Sequence, residues 1–245
     1  MSLEFVIRHW AACAPGLLGD VQWRAWAAQP WLPAGECRPG LSEMPALLRR
    51  RLDPLGRMAA QVAYWCQQEH ADLPMVFASR YGDAARSVEM LAELAREQAL
   101  SPTVFGLSVH NAIAAMVSIA RGERGNVLAV AAGAASAAAA LVEAGALLAD
   151  GAPEVLVVCY DAPLPGAYAE FADEPGSPYA WAWRVARPAL GEPHLSLDWD
   201  AAEPGEPCAS APLPFGLDVL RFALSMQPVW SRSARGQCWT WRRHG

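Results

Sequence analysis

The stretch VLAVAAGAASAAAALVEAGALLADGAPEVLVVCY, residues 127–160, decides the fold. It opens on a short apolar run, Val127 to Ala132, of the kind that fills a buried strand. At Gly133 the chain turns into a helix expected from about Ala134 to Leu148. Asp150-Gly151 stops that helix, and Glu154 to Tyr160 supplies a second apolar strand. Strand, helix and strand within about 35 residues form a βαβ unit, which requires a sheet with parallel neighbours. The helix is built largely from small residues, so its backbone can approach whatever it packs on.

Upstream, the same alternation continues. Leu73 to Ser79 (LPMVFAS) is another nearly continuous apolar run and reads as a strand buried on both faces. It is flanked by helical spacing. From about Pro54, Leu55, Met58, Ala59, Val62 and Trp65 or Cys66 share one face. From Arg86 to Leu100, Val88, Leu91, Ala92, Ala95 and Ala99 are expected to point inward. Residues 109–120 (VHNAIAAMVSIA) form a further small-residue helix closed by Gly122 and Gly125. At the start of the chain, residues 3–13 read as a strand leaving into Pro15-Gly16. Trp23 to Pro45 holds three tryptophans and four prolines and reads as an irregular surface segment or lid. Beyond Asp161, strands are expected at Tyr179–Val185, His194–Trp199 and near Cys238–Trp241, with a helix at Phe215–Met226. The expected architecture is a layered α/β sheet in one domain spanning residues 1–245.

Composition bounds the function. The 245 residues are 53% hydrophobic and 18% charged, ample for a core, and the net charge of −6 disfavours nucleic acid as a partner. All 19 basic residues are arginine, so no lysine is present for a Schiff base or a phosphate-binding Walker loop. The six cysteines (13, 37, 66, 159, 208 and 238) contain no CxxC pair, which argues against a zinc site or a disulfide framework. No metal or cofactor is expected. The apolar 127–148 segment carries Ser136 and Glu143 and is alanine-rich, which fits a packed helix instead of a membrane span. With no clean signal peptide at the N-terminus, a soluble cytoplasmic protein is expected.

Few residues offer chemistry. A strand-to-helix turn can present a nucleophile where the free N–H groups and dipole of a helix stabilise negative charge, but here the apex is Gly133. Ser136 lies one turn on and would need a base; a serine bonding its own helix backbone is the simpler reading. Cys159 ends an apolar strand, where α/β sheets often carry functional groups, although a buried inert thiol is the simpler reading. His110 and Asn111 either orient a substrate or cap a helix near Ser108, with capping or a buried polar network favoured. Arg49, Arg50 and Arg51, with Arg57, form a basic run that is either a solvated face or a dock for an acidic carrier protein.

The segments MPALLRRRLDPLGRMA (44–59), VFASRYGD (76–83), SPTVFGLSVHNAIAAMVSIARG (101–122) and the glycine-apex turn (127–150) resemble the beta-ketoacyl synthase N-terminal-like family. Within it, they are similar to the short chain-length-factor-like proteins of aryl polyene and xanthomonadin-type pathways. The resemblance covers residues 1–165, and 166–245 form a divergent tail. It implies a thiolase-like layered fold, mainly the N-terminal half with a shortened C-terminal part. It also implies that Gly133 stands where ketosynthases carry a cysteine, and that the histidine pair of their second half has no room here. A non-catalytic partner subunit in fatty-acid-like or aryl polyene chain assembly follows, paired with an active ketosynthase as a heterodimer and working with acyl carrier protein. The resemblance places the partner and acyl-tunnel surface on residues 101–120 and the helix after Gly133, with Ser101, Phe105, Ser108, His110, Asn111 and Met116 as its candidates. Two alternatives remain from the residues: an acyltransferase or thioesterase using Ser136 or Cys159, and a binding module for an acyl chain or acyl carrier protein.

Overall fold

The computed structural model describes residues 2–202 and 212–245. Cys208, counted among the thiols above, lies outside them. Eight strands form a single sheet in the order β3-β2-β4-β5-β1-β6-β8-β7. In chain order they are β1 (Ser2–Cys13), β2 (Met75–Ala78), β3 (Val127–Val130), β4 (Val155–Asp161), β5 (Tyr179–Ala186), β6 (His194–Ala201), β7 (Val229–Ala234) and β8 (Gln237–His244). The helices are α1 (Asp20–Ala28), α2 (Ala46–Arg49), α3 (Pro54–Gln67), α4 (Ala84–Ala95), α5 (Pro102–Ser108), α6 (Ala112–Arg121), α7 (Ser136–Ala149) and α8 (Phe215–Leu224). A 3₁₀ segment covers Gly166–Phe171.

The sheet divides by pairing. β3, β2 and β4 are mutually parallel, joined by helical crossovers, whereas β4, β5, β1, β6, β8 and β7 pair antiparallel in succession. Side chains alternate across the sheet and separate two cores. Met75, Phe77, Leu156, Val158 and Tyr160 pack under α3 and α6. Val76, Val155, Val157, Trp181 and Trp183 pack under α1, α7 and α8. Helices on both faces explain why β2 and β4 read as continuous apolar runs. The small residues of α7 do permit close approach: a Cβ at Gly145 would lie 2.4 Å from a methyl of Leu3 on β1. The described strands after residue 165 enter and extend the same sheet.

Four expectations are corrected. The segment from Trp23 is not wholly irregular, because α1 covers residues 20–28, its start fastened by the Gln22 side chain accepting from the Leu18 and Gly19 N–H groups. Trp23 and Trp26 are buried, Trp23 donating to the Ala12 carbonyl, and regular structure is absent only from there to Pro45. β3 is a partly exposed edge strand, not a buried one, since β2 covers a single side of it. The helix expected over 86–100 is α4, begun two residues earlier by Asp83 accepting from the Arg86 N–H, and it ends at Ala95. Its expected inward face is also wrong: Met90 is buried, while Leu91, Ala95 and Ala99 are exposed. β7, which the sequence reading missed, pairs with β8 across a tight turn in which Arg235 and Gly236 both have positive φ. No single helix among the described residues is long and apolar enough to cross a membrane; the apolar pair α5 and α6 bends by 101° between its halves.

Candidate functional site

The carboxyl ends of the parallel strands carry a polar cluster, the position where open α/β sheets usually bind ligands. β2 runs into Ser79, whose Oγ donates to an Asp161 carboxylate oxygen at the end of β4 (2.9 Å). The Arg80 N–H donates to the same oxygen (2.8 Å), and the Tyr179 hydroxyl reaches the other (3.4 Å). Burial pushes the Asp161 carboxyl up to about 6, although the hydrogen bonds from Ser79 and Arg80 oppose the shift. His110, at the start of α6, closes the cluster from above: its Nε2 donates to the Ser79 carbonyl (2.9 Å), and its ring lies against Gly82, whose φ is +59°. A carbonyl only accepts, so the Nε2 carries the proton.

An ion-pair chain continues from this point. The Arg80 guanidinium pairs with Asp173 and with Glu174 (3.1 Å). Glu174 also takes Arg232 of β7 (2.7 Å), and Arg232 pairs in turn with Asp218 of α8 (2.8 Å). Both arginines and three of their four contacts are largely buried, so the chain ties the parallel strands, the 172–177 segment, α8 and the terminal hairpin together. Sequence reading named His110 and noted Asp161 beside Cys159, but missed Ser79, Arg80, Tyr179 and the ion-pair chain. Asp161 had one legible signal, a lone carboxylate ending an otherwise apolar strand; the rest are remote in sequence.

The turn after β3 carries no side chain at its apex. Gly133 sits at φ +57°, and a Cβ there would lie 3.0 Å from Nε of Arg235, on the turn between β7 and β8. The glycine has no nucleophile, and an arginine side chain fills the space above it. Ser136 is buried and doubly engaged at the first turn of α7, its Oγ donating to the Gly133 carbonyl (2.7 Å) and accepting from the Ala132 N–H (3.0 Å). Cys159 is buried against Gly216 and the Tyr179 hydroxyl, and burial raises its thiol well above the usual range. The His110 Nε2 is bound to the Ser79 carbonyl.

The other candidates separate. Ser101 caps α5, accepting from the Val104 N–H (3.5 Å), and Ser108 bonds back to the Phe105 carbonyl (2.8 Å). Asn111 occupies the N-cap position of α6 without a side-chain capping bond. Met116 faces the core under the sheet, away from solvent, whereas Phe105 is 60% exposed. Phe105 belongs to a larger face: α4 packs on α5, α5 on α6 and α6 on β3, and Leu91, Leu94, Val109 and Ile119 are also exposed along it. Arg49 donates to the Leu41 carbonyl (3.0 Å), while Arg50 and Arg51 extend into solvent. Arg57 lies close enough to Arg38 and Arg49 for their charges to lower its proton affinity, after the larger effect of desolvation. Among the described residues no group of three or more His, Cys, Asp or Glu is placed to hold a metal ion.

A three-layer α/β/α unit with a strand-to-helix turn at the end of its parallel strands is the ketosynthase half-fold. Residues 23–242 match the beta-ketoacyl synthase N-terminal domain, and the chain belongs to that family. Its fold is similar to a chain of the complex of the ketosynthase ApeO with its chain length factor ApeC from Xenorhabdus doucetiae, at 29% identity and a TM-score of 0.85, covering 98% of this chain and 100% of that one. A chain of the ishigamide ketosynthase/chain length factor aligns at 13% identity and a TM-score of 0.72, covering 98% and 99%. A beta-ketoacyl synthase from Burkholderia phymatum STM815 aligns at 13% identity and a TM-score of 0.60, covering 85% of this chain and 67% of that one. No curated protein matches the sequence.

Proposed function

We propose that this chain is a non-catalytic, chain-length-factor-like subunit that pairs with an active ketosynthase in polyketide-like or aryl polyene assembly. The observation that carries the reading is the turn at Gly133: the apex has no side chain, and Arg235 lies over it. Without a thiolate there is no acyl-enzyme, and the two possible substitutes, Ser136 and Cys159, are respectively locked and buried. The similarity to two ketosynthase and chain-length-factor complexes over nearly the whole chain supports a subunit role.

The docking surface in this reading is the face of α4, α5, α6 and β3. It combines exposed apolar side chains with a sheet edge whose outer backbone groups lack a strand partner, two features that a subunit contact covers. A stable contact of this kind buries on the order of 2,000 Å² or more. Acyl carrier protein, which is acidic in this reading, would meet Arg50 and Arg51 beside Arg38, Arg49 and Arg57. Gentle purification of the tagged chain from its own cells tests the assignment. Recovery of an active ketosynthase at near-equal stoichiometry, lost on Phe105→Asp with Ile119→Asp, supports it. A lone monomer at all concentrations refutes it.

A further inference from the structure

A second concave site lies away from both the Gly133 turn and the apolar face, and its reading does not depend on the pairing proposed above. β1 pairs with β6 only through Ser2–Phe5, while the following residues pair with β5 alone, with a bulge between Ile7 and His9. Where β6 parts from β1, a groove of about 390 Å³ opens between these strands, β8 and the end of α8. Its walls are part apolar and part polar; Ile7, Trp10, Trp183 and Leu224 supply much of the apolar part, with the 88%-exposed Met226 at the mouth. That volume falls in the roughly 300–1,000 Å³ range of small-molecule sites.

The polar groups have one sign. Arg24, Arg243, His194 and His244 line the groove, and among the described residues no Asp or Glu side chain does. Arg24 lies over the Trp10 ring, 5.7 Å from its centroid, and shares its charge with Asp20 one turn earlier. Arg243 is different. Its Nη2 donates to the Phe222, Ala223 and Ser225 carbonyls at the end of α8, yet it makes no ion pair among the described residues, and its Nε has no partner. Burial lowers its proton affinity with no carboxylate to offset the effect. A half-buried guanidinium held by carbonyls alone has no ion-paired charge opposite it among the described residues, so an added anion would be attracted to it. The stacked rings of His194 and His244, 4.7 Å apart, keep one nitrogen each bonded to the Glu192 carbonyl and to Ser196 Oγ, and among the described residues His194 Nε2 and His244 Nδ1 make no hydrogen bond.

We infer that this groove binds a small amphipathic carboxylate, its apolar body against Trp10 and Leu224 and its carboxylate beside Arg243 and the histidine pair. Calorimetric titration of the full chain with octanoate and with its neutral analogue octanamide tests this, using Met226→Glu and Met226→Gln, which differ in charge alone at an exposed rim position. Octanoate is expected to saturate at one molecule per chain, and octanamide to bind about tenfold more weakly. Met226→Gln is expected to stay within about twofold of the parent while Met226→Glu loses about tenfold, from one added negative charge at the mouth. Absence of saturable octanoate binding, equal binding of octanamide, or equal affinity of the two variants overturns the inference.

Discussion

Substitution of Gly133 tests the Gly133 turn most directly. At φ +57° an L-residue costs about 1–2 kcal/mol, because its Cβ crowds the following carbonyl. Loss of glycine's freedom in the unfolded chain returns about 0.4–1 kcal/mol. The new Cβ would also meet Arg235 Nε at 3.0 Å, but that guanidinium is the far end of an exposed, flexible side chain and moves aside by a few tenths of an ångström. Gly133→Ala is therefore expected to lose about 1 kcal/mol in urea unfolding, or about 2–4 °C in Tm for a chain of this size. A double-mutant cycle with Arg235→Ala should show a coupling below about 0.5 kcal/mol. A loss above about 4 kcal/mol would mean a sterically sealed turn, and a clear gain in stability would mean that the turn is not left-handed; either result refutes the reasoning. Gly133→Cys carries the chemistry further. Its thiol would stand beside Arg235 and the first turn of α7, both of which favour the thiolate, so rapid alkylation is expected. Condensation by that variant alone is not, because His110 is committed to the Ser79 carbonyl. Measured carbon–carbon bond formation would remove the basis of the non-catalytic assignment.

Asp161 provides a pH test. Its folded value of about 6 exceeds the 3.8 expected of the unfolded chain, so between these values the folded state holds a proton that the unfolded state has released. This carboxyl's contribution to stability falls as pH rises from about 4 to 6 and returns on acidification, by at most on the order of 2–3 kcal/mol. Asp161→Asn should flatten that part of the profile, and a carboxyl resonance titrating at or below 4 would contradict the burial argument. Arg232→Met takes from Asp218 its ion-pair partner, while Glu174 keeps Arg80, and is expected to cost about 3–5 kcal/mol. Arg8→Ala, breaking the more exposed pair with Glu192, should cost under about 1 kcal/mol in the same urea series. Among the thiols, Cys66, raised to about 12 by burial, and Cys159 should resist iodoacetamide in the folded protein while Cys238 reacts, as read by peptide mass spectrometry. Native labelling of Cys159, or its acylation by a thioester, would revive the acyltransferase alternative.

Much of the fold was legible because its signals are local. The apolar runs at 75–78 and 155–161 announce strands covered on both faces, and the glycine between 127–130 and 136–149 announces the turn. The same reasoning failed where burial depends on a neighbour that periodicity does not name. The segment holding Trp23 and Trp26 read as irregular until α1 laid both side chains on the sheet, and Leu91 looked like core until α4 was placed on an outer layer. At the site, Gly133 and the engagement of Ser136 with its own turn were within reach of sequence, since both partners lie a few residues apart. The sequence by itself thus determined the α/β class, the βαβ unit and an apex without a nucleophile, all products of backbone preference and short-range spacing. Only the tertiary structure decided that β3 lies at an open edge, that Arg235 lies over Gly133, that Asp161 is linked through Arg80 and Glu174 to Arg232, and that a cationic groove opens where β1 parts from β6. Those features join residues tens to over a hundred positions apart, and such meetings are fixed by the packing of whole elements, not by the properties of any one segment.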